Sequence, residues 1–344
     1  MKIIRNIICL VTFLTLCPTG IIAKEYHAKK TVLDSIMTDG IWRFFEYHLP
    51  QFPAENPRLI MVLHGDDMTT KSIQTVSDYE YNKLADKNGN TIVVYPQGYN
   101  NQWNGCRKEA LLEANKKNLN DEVFIKSIVQ RMERRYGIDR KNVFAVGYLN
   151  GGQMCFKLAK SVPDLFKGFA VIGANLPQPA NDGCTPSGEP VSLMLINEAV
   201  DSLNPFDGEE NTLVYDFERG NQLSTNETIR YWLDLFGHTE KIAKYAPSVI
   251  IEKDNSVAFR YDYFSKEQNR RISLLKIVKS GYSFSNPYFD RLPQTKVKID
   301  KHISIPETVV RFFYQLQFSN TTVDSIQYDP NRTNGVSIDQ ELRF

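Results

Sequence analysis

The sequence predicts an α/β protein with a mostly parallel central sheet covered by helices on both faces. Short apolar runs such as Arg58-Leu-Ile-Met-Val-Leu63 and Thr91-Ile-Val-Val-Tyr95 lack the alternation of half-exposed strands and read as buried on both sides. Segments of helical period lie between such runs, and strands alternating with helices build parallel sheets. No linker, repeat or low-complexity block interrupts residues 35–316, so one domain is expected over residues 24–316.

The N-terminus stands apart. Lys2 and Arg5 precede an apolar run from Ile7 to Leu16, and small or β-branched residues lead to Ala23. This describes a secretory signal peptide over residues 1–23, cleaved after Ala23, and a secreted or periplasmic product. The run is too short to span a bilayer. Lipidation at Cys17 is the weaker alternative, because Leu16 is bulky where a small residue is expected.

Trp42 to His48 then reads as an opening strand, ended by Pro50 and Pro53. The buried strand Arg58–Leu63 runs into His64-Gly65-Asp66-Asp67, a helix is expected from Ser77 to Lys87, and the strand Thr91–Tyr95 closes at Pro96. Asp121 to Tyr136 carries Val123, Ile125, Ile128, Val129 and Met132 at helical spacing, with Asn120 as cap and Asp121 and Glu122 in the first turn. A short strand, Val143 to Val146, meets a glycine-bounded turn and then a helix bearing Met154, Cys155 and Leu158. Strands follow at Gly168–Ile172 and Val191–Ile196, a helix at Thr225–Phe236, and strands at Ala258–Phe264 and Ile272–Val278. Ile305 to Leu316, with Pro306 near its start, is the last helix, and residues 317–344 form a polar tail.

Composition excludes several classes. With 42% hydrophobic and 24% charged residues the chain is ordinary for a globular protein, and a net charge of +1 gives no basis for a nucleic-acid partner. Of five cysteines, Cys9 and Cys17 lie in the leader, leaving Cys106, Cys155 and Cys184. Cys155 falls on the apolar side of its helix and is expected buried and free. Cys106 and Cys184 occupy polar, glycine-containing loops and are the expected disulfide.

The order of motifs resembles the secreted α/β-hydrolase family that includes polyhydroxybutyrate depolymerases and feruloyl or acetylxylan esterases. The resemblance covers roughly residues 38–316. It rests on Leu63-His-Gly65, Tyr95-Pro-Gln-Gly98, Trp103-Asn-Gly-Cys106, Asn120-Asp-Glu-Val-Phe-Ile125 and Tyr136-Gly-Ile-Asp139. Gly147-Tyr-Leu-Asn-Gly-Gly152, Pro163-Asp-Leu-Phe166, Asp201-Ser-Leu-Asn-Pro-Phe-Asp-Gly208 and Ser280-Gly-Tyr-Ser-Phe284 complete it. It implies an α/β-hydrolase fold and a Ser-Asp-His triad in that chain order.

Taken residue by residue, the triad is degenerate. Gly147-Tyr-Leu-Asn-Gly151 has the frame of a nucleophile elbow, yet Leu149 stands where the serine is expected and has no atom that attacks or accepts a proton. Asp201 matches the acid. Tyr282 stands at the histidine position, where a phenol titrating near ~10 is a poor base. The oxyanion-hole positions are Asn150 and Asp66, and an inward carboxylate at Asp66 or Asp67 opposes a developing oxyanion. Tyr148, Trp103, Tyr282 and Phe284 are expected near the mouth of the pocket.

Other residues carry less. Gly281-Tyr-Ser283 imitates an elbow, but Asn286-Pro287 interrupts the helix an elbow needs. His238 and His302 read as solvent-exposed loop residues, although either could turn toward Asp201, and His64 reads as structural. The spacing of Asp66, Asp67 and Asp201 matches no metal loop, so no metal and no cofactor are expected. The sequence therefore favours an exported pseudo-hydrolase kept for binding a small ester, a polyester or a glycan chain. Two alternatives remain: an active carboxylic ester hydrolase with a rearranged site, and an interaction protein whose surface has left the old pocket.

Overall fold

The computed structural model describes residues 31–51, 53–199, 221–237, 242–244, 248–251, 257–279 and 303–316. The leader and the polar tail lie outside the described residues.

The chain enters through a hairpin of β1 (Val32–Thr38) and β2 (Ile41–His48), in antiparallel register from Val32↔Tyr47 to Thr38↔Ile41. The strand expected to open the sheet is thus the second. Its partner announces itself only through Asp39-Gly40, a two-residue hairpin turn with φ of 50° and 74°. After β3 (Arg58–Leu63), the helix expected over Ser77–Lys87 is α2 (Glu80–Asn88), beginning three residues later, and an unexpected helix α1 (Thr70–Val76) precedes it. The Thr69 hydroxyl caps α1 by accepting from the Ser72 N–H, and the break falls at Asp78 and Tyr79, both at positive φ.

β4 (Thr91–Pro96), the short α3 (Glu113–Lys116) and α4 (Asp121–Tyr136) follow. The Asn120 side chain accepts from the Val123 N–H at 3.1 Å, and Gly137 ends α4 at φ 60°. Val123 is not a core residue, as its spacing implied. It lies 40% exposed, and the neighbouring Phe124 is buried with Ile125, Ile128, Val129 and Met132. The remaining elements are β5 (Val143–Tyr148), α5 (Asn150–Ser161), β6 (Gly168–Ile172), β7 (Leu193–Glu198) and α6 (Thr225–Asp234). Then come β8 (Ile242–Lys244), β9 (Ser248–Ile251), β10 (Val257–Ser265), β11 (Arg270–Lys279) and α7 (Ile305–Gln315).

The strands join one sheet in the order β1-β2-β4-β3-β5-β6-β7-β11-β10-β8, with β9 also on β10. From β4 to β11 every pairing is parallel, and the flanking pairs are antiparallel. This is the α/β-hydrolase arrangement. Alternation along the strands divides the core into two layers. Leu59, Met61 and Leu63 face α4, α5 and α6, whereas Ile60 and Val62 face α1, α2 and α7. Stacked ring pairs mark the two layers, Phe156 on Trp232 and Phe144 on Phe313. No helix among the described residues is long and apolar enough to cross a membrane.

Cys106 and Cys184 form a disulfide with Cα atoms 5.1 Å apart, and Cys155 is a buried free thiol whose pKa burial pushes far up. Beside the bridge, Asp182 accepts from the Cys184 N–H and pairs with the buried Lys160 ammonium. The disulfide spans 78 residues of chain, so its absence enlarges the unfolded ensemble considerably. Replacing both cysteines with alanine is expected to lower unfolding free energy by about 2–4 kcal/mol, read from urea midpoints of the two proteins.

Candidate functional site

The site sits where β5 turns into α5, at the C-terminal ends of the parallel strands. The turn admits no side chain at two of its positions. A Cβ on Gly147 would lie 2.1 Å from the Gly151 carbonyl oxygen, and one on Gly151 would lie 2.4 Å from that of Leu63. Between them Leu149 adopts φ 51° and ψ −112°, its N–H donating to the Ile172 carbonyl at 2.8 Å. Leucine in this region is a true outlier, strained by roughly 1–3 kcal/mol. The backbone of a nucleophile elbow is therefore intact, with an inert side chain on it.

That side chain is only 9% exposed. A Cβ on Gly65 would meet Leu149 Cδ1 at 3.1 Å and Met68 Sδ at 3.4 Å, so the leucine lies directly over the strand-end glycine. Gly65 precedes Asp66, one of the two positions expected to form an oxyanion hole. Both carboxylate oxygens of Asp66 are buried, whereas Asp67 is exposed at φ 56°. Asn150, the other expected hole position, begins α5, where the first N–H groups have no intrahelical acceptor.

A hydrogen-bonded clamp holds these loops. The Asn150 side chain accepts from the Trp103 N–H at 2.6 Å and donates to the Trp103 carbonyl at 3.3 Å. Trp103 Nε1 donates to the His64 carbonyl at 3.0 Å, and its ring lies 5.1 Å from the imidazole. His64 in turn donates from Nδ1 to the Gly65 carbonyl at 2.7 Å and accepts at Nε2 from the Gly98 N–H at 2.9 Å. Burial pushes its pKa down to about 4, against the pull of the Gly65 carbonyl, so the ring is neutral and spent on structure.

Next along the loop, the Asn104 N–H donates to Asp121 at 2.7 Å, and Asp121 pairs with the buried Arg43 at 2.6 Å. Lys157 from α5 donates to the Asn104 carbonyl at 2.8 Å.

Two expectations for the pocket need correction. Trp103 and Tyr148 do not line a mouth: they are 0% and 3% exposed. The Trp103 indole is spent on His64, and the Tyr148 hydroxyl meets that of Tyr81 at 2.9 Å. An aromatic residue next to a catalytic motif is as readily wedged under the site as lined along it. Asp201, Tyr282, Phe284, Ser283, His238 and His302 lie outside the described residues. On the acid side, a polar cluster sits at the end of β7. Asn197 Nδ2 donates to Asn175 Oδ1 and to Thr225 Oγ1, both at 2.8 Å, and Gln153 donates to the Asn175 carbonyl at 2.6 Å. No local pattern marks these residues, which meet only across four elements.

Three outcomes are expected. Leu149→Gly gains freedom at a strained φ while losing a buried side chain, so stability should change by about 1 kcal/mol or less. Leu195→Ala, in an unstrained core strand, should cost about 2–5 kcal/mol in the same denaturation assay. Because His64 titrates near 6.5 when unfolded and about 4 when folded, the unfolded state binds the proton first as pH falls. Stability is therefore lost between about pH 6.5 and pH 4, by ~3 kcal/mol, and His64→Gln should flatten that limb in urea unfolding at stepped pH.

No protein-family model matches the chain. It is 24% identical over 291 residues to the putative esterase NocK of Nocardia uniformis subsp. tsuyamanensis, covering 82% of each protein. It is 27% identical over 161 residues to the probable feruloyl esterase C of Aspergillus niger, 46% of this chain and 54% of that protein. It is also 27% identical over 143 residues to the bifunctional acetylxylan esterase/xylanase XynS20E of Neocallimastix patriciarum, of which the chain spans 19%. Among solved structures, the acetyl xylan esterase from Aspergillus awamori superposes with a TM-score of 0.49 at 17% identity, over 76% of this chain and 97% of that one. By its strand order the chain has an α/β-hydrolase fold, and in sequence it is similar to these esterases.

Proposed function

We propose that this chain is an exported, esterase-like protein that does not carry out triad-type acyl transfer and that uses the remodelled site to bind a ligand or partner. One observation carries the reading. Leu149 occupies the nucleophile position with elbow geometry intact, and its side chain lies over Gly65. The backbone therefore argues against a misaligned motif, while the side chain removes the attacking atom. The carboxyl oxygens of Asp66 are buried at one expected hole position, and ionised there they would oppose the charge that builds in acyl transfer. Tyr282 in place of histidine removes the base. The ligand classes that follow from the relatives' names and the motif order are a small ester, a polyester or an esterified glycan.

The test is an ester assay on the protein isolated after export, with p-nitrophenyl acetate and butyrate, beside labelling by a fluorophosphonate. No label and no turnover above buffer are expected. Turnover that disappears in Ser283→Ala, or on adding a chelator, would establish a rearranged hydrolase and overturn the reading. Leu149→Ser combined with Tyr282→His is expected to gain labelling. Leu149→Ser alone should label far more slowly, since a serine without an imidazole partner stays protonated.

A further inference from the structure

We propose that helix α1 is a hinged gate beside the elbow, latched by Glu46. The gate spans residues 68–77, and its ends are marked in the backbone. Asp67 lies at φ 56° on one side, and Asp78 and Tyr79 lie at 51° and 55° on the other. The left-handed region is tolerable for aspartate and unfavourable for an aromatic residue. Such positions persist where the surrounding structure imposes them, and hinge motion is absorbed at a few element-terminal residues.

Within those bounds α1 is self-contained. The Thr69 hydroxyl accepts from the Ser72 N–H at 3.1 Å, and the Thr69 N–H donates to the Ser72 hydroxyl at 3.3 Å. At the other end the Ser77 hydroxyl donates to the Ile73 carbonyl at 2.8 Å. Both ends are capped from inside the segment, so it can swing as a body without stranding these groups. Its apolar hold on the domain is slight. Ile73 is the one buried apolar side chain of α1, whereas α4 buries Phe124, Ile125, Ile128, Val129 and Met132. An element with few buried apolar contacts opens at lower free energy than the core.

A polar latch holds it instead. The Thr70 hydroxyl donates to Glu46 Oε1 at 2.8 Å, and Gln74 Nε2 donates to Glu46 Oε2 at 3.0 Å. Glu46 belongs to β2, outside the moving segment. Burial works against its ionisation, yet hydrogen bonds from Thr31, Thr70 and Gln74 and the charge of nearby Lys71 hold its pKa below the usual range. The carboxylate is therefore a strong acceptor near neutral pH. A second tie runs from the Thr70 N–H to Gln97 Oε1 at 3.0 Å. It reaches the clamp, because Gln97 Nε2 lies 3.2 Å from His64 Nε2. The segment begins with Met68, whose Sδ lies beside Leu149 over Gly65. Opening uncovers that apolar floor, and the use of the gate rests on the binding reading of the remodelled site.

Amide hydrogen exchange on the protein isolated after export tests the gate. In the wild type the α1 amides should exchange about tenfold or more faster than those of α4. Glu46→Ala, at a half-buried strand position, should raise α1 exchange about tenfold further and leave α4 unchanged. Thr70→Val removes one latch bond and should raise it by a smaller factor. Peroxide oxidation of Met68, followed by mass spectrometry, is a second readout. Its rate in the wild type should fall between those of exposed Met37 and buried Met154, and should rise in the variants in the same order as exchange. Amides of α1 as protected as those of α4 would overturn the proposal. So would a Glu46→Ala effect spread evenly over both helices, which is general destabilisation rather than unlatching. Both measurements run without ligand or ester, so the ester assay decides the binding reading separately.

Discussion

A close approach of backbones governs the whole site. The end of β3, the end of β5 and the start of α5 meet with Gly147 and Gly151 in van der Waals contact with facing carbonyls, where any side chain would overlap them. Between these contacts Leu149 is held at φ 51°. In a serine hydrolase the strain is repaid by an exposed nucleophile. Here a leucine bears it, and the strained residue gains only apolar contact over Gly65.

The surrounding polar groups explain how such a turn persists. His64, Trp103 and Asn150 satisfy one another's backbone and side-chain groups, and Asp121, Arg43 and Lys157 extend that lattice to β2, α4 and α5. Buried polar networks of this kind are costly to break piecemeal, because each lost partner strands another donor or acceptor without water. The scaffold of the site is therefore maintained by its own packing, independently of any reaction. The His64 imidazole, neutral and fully engaged, belongs to that scaffold, as its strand-end motif led one to expect.

How far this was legible along the chain varies with the range of the interaction. Helix α4 follows its pattern to the residue, because Asn120 and Gly137 are local caps acting within one turn. Only the first residue of its stripe was misassigned: Ile125, Ile128, Val129 and Met132 are buried as expected, whereas Phe124 takes the buried place of Val123. Strand β1 escaped notice because its face is itself apolar and exposed, so the alternation of a half-buried strand is blurred. Helix α1 escaped notice, and the start of α2 was placed three residues early, because the break at Asp78 and Tyr79 takes positive φ without a glycine. Trp103 and Tyr148 were placed near the right residues and on the wrong side of them.

By itself the sequence determined the fold class, the run of the parallel strands, the caps of α4 and the chemical emptiness of position 149. Those follow from residue types and short spacings, which act over a few residues of chain. Tertiary structure alone decided where the side chains at that site point. It laid Leu149 over Gly65, spent His64 and Trp103 on each other, and left the aromatic face of the first hairpin open. The reason is physical: side-chain direction and burial are settled by neighbours that come from distant parts of the chain, and no local pattern encodes them.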